Sequence, residues 1–208
     1  MTTAAQRERA ALVETMREVG PDAPTLCGDW TTRDLAAHLV VRERRLDATP
    51  GIMVPALAGY TDRVQRQTAQ GSEWEALLDK VASGPPLYSP FKLLDPVANM
   101  GEMYIHHEDV RRAQSGWEPR PLDDATVTAL TRSLPLMARM TLAKAPARMT
   151  LKTPQGKSLA PVGKGEPLTV IGEAQELLLF VSGRDEVRVE FEGDAAVVDA
   201  VRKNRRGL

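Results

Sequence analysis

Apolar residues recur every three to four positions over most of the chain and every second position over much of its last third, so the sequence predicts helices first and strands later. Ala11, Leu12, Met16 and Val19 fall at helical spacing within Thr3–Val19, and Gly20-Pro21 ends the run. A loop over Asp22–Asp29 leads to a second helix opened by Thr31. Asp34, three residues on, completes a variant of the capping box. Leu35, His38, Leu39, Arg42 and Leu46 share one broad face of that helix. After the loop Thr49–Pro55, Leu57–Thr68 reads as a third helix closed near Gly71. Ser72 and Glu75 form a second capping-box pattern ahead of a short helix to Ala82. Gly84-Pro85-Pro86 breaks the chain. The next helix runs from Phe91 to Ala113 or Ser115, with Gly116 at its C-cap and a kink or late start expected at Pro96. Asp123–Ala143 follows, with Leu130, Leu134, Met137 and Leu142 as its core side and a kink expected at Pro135.

Beyond Pro146 the period changes to two. Arg148–Thr153, Lys157–Pro161, Leu168–Ile171 and Val187–Phe191 read as strands, with a turn at Gln155-Gly156. Ala174–Val181 is a short apolar helix, and Asp194 caps a last one over Ala195–Lys203. The expected organisation is therefore mainly α with a small α/β domain: a helical unit over 1–146 and an α/β unit over 147–208.

Composition narrows the classes. Lys and Arg number 27 against 28 Asp and Glu, so no global field draws the chain to nucleic acid or an anionic membrane. The basic run at Arg202, Lys203, Arg205 and Arg206 reads as a solvated terminus. No stretch has the length and apolarity of a signal peptide core or a bilayer span, and one cysteine cannot form an internal disulfide. A cytoplasmic protein is the expectation.

The chemistry concentrates in Met100–Val110. Glu102 and His106 are four apart and share a helix face, with Asp109 one turn further along the stripe; His107 is turned away by about 100°. A Glu and a His on one face supply two legs of a divalent-metal site. His38, the remaining histidine, is the natural third, with Asp34 one turn before it as a candidate partner for its second ring nitrogen. Plainer readings stand beside this one. His38 is equally a core histidine among Leu and Val, Glu102 and His106 an i,i+4 surface pair, and Glu108, Asp109 and Arg111 solvated residues instead of the rim of a site. Cys27 reads as a small buried hydrophobe beside Trp30, with a fourth soft metal ligand or a redox thiol as the alternative.

Trp30–His38, followed by Glu102, His106 and Asp109 at their spacing, resembles the DinB-like four-helix-bundle superfamily, in the actinobacterial branch that contains mycothiol-dependent maleylpyruvate isomerase. Leu168–Ile171, the apolar helix ending in Gly183-Arg184, and Val187–Phe191 resemble the sterol-carrier-like C-terminal domain of that branch. The resemblance implies a divalent metal, usually zinc, on His38, Glu102 and His106, with mycothiol or a similar thiol as cosubstrate. It also implies an assisting arginine in the second domain, for which Arg184 is the candidate. The implied activity is that of a thiol-dependent S-transferase or isomerase acting on small electrophiles, as a monomer or homodimer with no nucleic-acid or membrane partner. A metal-dependent hydrolase using water, or a non-catalytic protein that binds metal or a small ligand, are the alternatives.

Overall fold

Reciprocal caps start the first two helices. In the computed structural model, which describes residues 3–52, 54–92 and 96–204, the Thr3 side chain accepts from the Gln6 N–H and the Gln6 side chain from the Thr3 N–H, opening α1 (Ala4–Val19). Thr31 and Asp34 do the same for α2 (Thr32–Arg44), at 3.3 and 3.0 Å. Pro55 stands at the first turn of α3 (Pro55–Gln70), where its missing N–H costs nothing. The box expected at Ser72 does not form. α4 (Trp74–Ser83) begins a residue later behind Glu73, and the Glu75 carboxylate instead accepts from Arg17 Nε of α1 at 3.1 Å. Of the two outcomes expected for Pro96, the late start is observed, since α5 is Pro96–Arg112. Phe91 belongs to a separate short turn, Pro90–Lys92, and residues 93–95 lie outside the described residues, as do Arg205 and Arg206 of the basic run.

Contacts of α1 with α4 and α5, and of α2 with α3 and α4, assemble the first unit, Met1–Glu118. Its core is built from Leu12, Met16, Leu35, Leu39, Leu77 and Met103, all fully buried. Leu46 does not join it: α2 ends at Arg44, and Leu46 is exposed. Arg9 ties three helices together inside this core. Its guanidinium makes two bonds to the Glu43 carboxylate and one to the Val81 carbonyl. Removing one partner of such a buried pair costs about 3–5 kcal/mol.

The second unit is Pro119–Leu208, so the boundary falls well before the change of period at Pro146. The reason is the packing of α6 (Asp124–Leu142). Its buried stripe of Leu130, Leu134, Ala138 and Leu142 belongs with elements of the second unit, although its helical period resembles the first. Ala138 takes the core position expected for Met137, and the helix is continuous through Pro135. The sheet runs in the order β2–β1–β3–β4, from β1 (Ala147–Lys152), β2 (Ser158–Val162), β3 (Glu166–Ile171) and β4 (Glu190–Gly193). β1 pairs antiparallel with β2 and parallel with β3, and β3 pairs antiparallel with β4. The register lines up Val162, Met149 and Leu168 in one apolar row and Ala160, Leu151 and Val170 in the next, all buried. Gly163 allows the turn from β2 to β3. It has a φ of 81°, and a Cβ there would collide with the Ala147 carbonyl.

The apolar helix α7 (Ala174–Val181) follows β3 and packs with α6. The last strand pairs later than the alternation at Val187–Phe191 suggests. The Arg188 N–H is taken by the Glu176 carboxylate at 2.8 Å, so the ladder starts only at Glu190. Helix α8 (Ala195–Lys203) is capped by Asp194. Among the described residues no helix is long and apolar enough to cross a membrane.

Candidate metal centre

Two helices carry the candidate ligands. α2 is anchored at its start by its cap and by bonds from the Thr32 and Arg33 N–H groups to the Ala23 and Pro21 carbonyls. This fixes the direction in which His38, two turns on, projects. The Trp30 ring lies 5.1 Å from the His38 ring and covers it. Asp34 is committed to the cap, so it does not hold His38 as the spacing suggested. Gln65, buried on α3, does so instead, with Oε1 at 3.4 Å from His38 Nδ1. No local pattern in the sequence points to Gln65, because the contact spans two helices.

On α5 the expected stripe forms. His106 Nε2 is 3.3 Å from Glu102 Oε1, and on the other side of the ring His106 Nδ1 is 2.9 Å from Asp109 Oδ2. The His38 and His106 rings meet edge to face at 5.5 Å. His38, Glu102 and His106 thus each offer a ligand atom, and these lie within 4.8 Å of one another. A second group, Cys27, His106 and Asp109, meets the same criterion. It gathers behind the ring: Cys27 Sγ donates to Asp109 Oδ2 at 3.1 Å and lies 4.0 Å from His106 Nδ1. The Leu26 N–H, bonded to the Asp109 carbonyl at 3.0 Å, holds the cysteine loop against α5.

Two carboxylates depart from the plain reading of surface charge. Asp109 and Glu108 are both 0% exposed. Asp109 serves His106, while Glu108 is held by Arg111 at 2.9 Å and Arg112 at 2.6 Å. His107 turns to the opposite side of α5, where Glu8 Oε1 and Thr15 Oγ1 of α1 take its two ring nitrogens at 2.7 and 2.9 Å. Arg184 stands in the second unit, half-buried just past α7, where it donates to the Ser182 carbonyl.

The electrostatics of the three donors differ. Burial, helped by the nearby charge of His106, lowers the His38 pKa to about 4, so this ring is neutral at pH 7. Burial also opposes charge on His106, but hydrogen bonds to Asp109, Cys27 and Glu102 outweigh it and raise its pKa well above the ordinary value. Burial would raise the Glu102 carboxyl, yet His106 and Arg42 hold it well below the usual carboxylate range. These bonds hold His106 in its charged form in the metal-free protein.

The donor set fits a divalent ion. A tetrahedral site with bonds of about 2.0 Å has ligand–ligand edges of about 3.3 Å, which the spacing of His106 Nε2 and Glu102 Oε1 matches at 3.3 Å. Each imidazole also has its Nδ1 engaged by a side chain, leaving Nε2 for coordination, the arrangement that orients metal-bound histidines. His38, Glu102 and His106 would be the ligands, with Asp109 and Gln65 behind them.

No protein-family model and no curated protein matches the chain. Among solved structures, the crystal structure of the mycothiol-dependent maleylpyruvate isomerase matches with a TM-score of 0.55 at 16% identity, over 93% of this chain and 92% of that one. The likeness shows a shared fold extending over nearly the whole of both chains.

Proposed function

We propose that the chain is a metal-dependent enzyme of the DinB-like superfamily that uses mycothiol or a similar low-molecular-weight thiol to transfer or isomerise small electrophiles. The observation that carries this reading is the convergence of His38, Glu102 and His106 without a fourth His, Cys, Asp or Glu in that group among the described residues. Three protein ligands with a position left over mark a catalytic site, whereas structural zinc is closed by four. A divalent ion there, zinc by the nature of the donors, would accept an external thiol and lower its pKa into the neutral range.

The chain's own residues set the conditions. Asp109 fixes the tautomer of His106, Gln65 orients His38, and Trp30 shields the His38 ring from water. Cys27, the chain's single thiol, donates to Asp109 on the Nδ1 side of His106, away from the Nε2 that faces Glu102, and we take the nucleophile to come from solution. The fold shared with a mycothiol-dependent isomerase supports thiol over water. We assign Arg184 as the assisting arginine of the second unit, and the protein as a cytoplasmic monomer or homodimer without nucleic-acid partners.

The test is a panel of small electrophiles assayed with metal and thiol varied independently. Activity should require both, survive Cys27→Ser and vanish in His38→Ala. Arg184→Ala should lose rate while keeping its metal. Equal turnover without any thiol would show that water is the nucleophile and overturn the thiol reading.

A further inference from the structure

Beside the three donors lie two buried polar atoms with no hydrogen-bond partner among the described residues, Arg42 Nη1 and Asn99 Oδ1. Arg42 is one turn past His38 on α2, and Asn99 is one turn before Glu102 on α5. Both flank Phe91. The Arg42 guanidinium stacks on its ring at 4.3 Å, and Asn99 Nδ2 donates to its carbonyl at 3.0 Å, which fixes Oδ1 as the unmatched acceptor. Arg42 Nε faces Glu102 Oε1 at 3.2 Å.

A guanidinium cannot give up its proton, and a buried donor without an acceptor is costly unless water, an ion or a ligand completes it. Glu102 does not meet that need at Nη1. Its carboxylate is also claimed by the metal centre, so one negative charge would be shared between a divalent ion and a cation. Among the described residues no acceptor meets Nη1, which leaves this donor for water or a ligand. We propose that Arg42 is a specificity-determining residue that forms an anion subsite beside the metal centre, its Nη1 receiving a carboxylate of the small-molecule ligand. Stacking on Phe91 holds the guanidinium in one orientation for this role. The inference rests on the reading of His38, Glu102 and His106 as the metal centre.

The experiment uses the full chain loaded with Co(II). One titration compares 3-mercaptopropionate with 3-mercaptopropionamide through the thiolate-to-metal charge-transfer band. A parallel one compares malonate with malonamide through the ligand-field bands. Any preference of the metal itself for carboxylate cancels when wild type is compared with R42Q. The expected result is that the preference for carboxylate over amide is roughly tenfold or more larger in wild type than in R42Q, with R42K in between. Equal preference in wild type and R42Q overturns the proposal and means that Nη1 is satisfied by water alone. If R42Q fails to fold or to hold cobalt, R42K decides: an undiminished preference refutes the subsite, and a reduced one supports it. Absence of any charge-transfer band in wild type would instead overturn the thiol reading, and the malonate pair would still report on Arg42.

Discussion

His106 and His107 are neighbours in sequence, both are buried, and each meets a carboxylate at Nδ1, yet the two sides of α5 do different things. On the α1 side, Glu8 and Thr15 close both nitrogens of His107, and the ring ties two helices together. On the α2 side, Asp109 takes one nitrogen of His106 and the other faces Glu102 and the His38 ring. Burial and a carboxylate partner therefore do not distinguish the proposed ligand from the structural histidine. The distinction lies in the second nitrogen, which the protein either consumes or presents to further donors.

The largest effect that should sharpen this contrast comes from Asp109→Asn. The substitution preserves shape but removes the charge that orients His106, and metal affinity should fall by about 10–100-fold, measured by competition with a chelator on the alkaline plateau, where His106 carries no competing proton. An unchanged affinity would mean that Asp109 does not support a ligand.

The next effect is of pH. Because the His106 pKa is raised, the ring is charged at neutral pH in the metal-free protein, and a cation must expel that proton. Affinity should therefore fall by about tenfold for each unit of pH below the His106 pKa, and binding at pH 7 should release about one proton, read by calorimetry in buffers of different ionisation enthalpy. His38, with its pKa near 4, adds no proton release at pH 7. In Asp109→Asn the onset should move to lower pH, since a main support of the imidazolium is gone.

The smallest effect on metal, and a contrasting one on folding, is expected from His107→Ala. Metal affinity should stay within a few-fold, while the loss of the bonds from His107 to buried Glu8 and half-buried Thr15 lowers stability by about 1–3 kcal/mol in denaturant unfolding. Loss of metal with unchanged stability would reverse the roles given to the two histidines.

How far the sequence reaches follows the same division between local and long-range contacts. The Glu102–His106–Asp109 stripe is legible because a helix places residues three and four apart on one face. The turning away of His107 follows from the same geometry. The burial of Asp109 is not legible, because it depends on the Cys27 loop meeting it in the folded chain; Glu108 and Arg112 are an i,i+4 pair, but nothing local shows that the pair is buried. Asp34 misleads for a definable reason: the third position of a helix serves its own cap, leaving His38 to Gln65 on another helix. In the second unit, alternation locates three strands, but the start of β4 is set by the Glu176 side chain on the Arg188 N–H. Likewise α6 shows its helical period plainly and gives no sign of which unit it joins.

The most direct test of the centre is X-ray absorption spectroscopy on the zinc-loaded protein without added thiol. His38, Glu102 and His106 predict two imidazole nitrogens and carboxylate oxygen at about 2.0 Å with no sulfur neighbour. A sulfur scatterer at about 2.3 Å that disappears in Cys27→Ser would place the ion behind His106, among Cys27, His106 and Asp109, and would contradict the account.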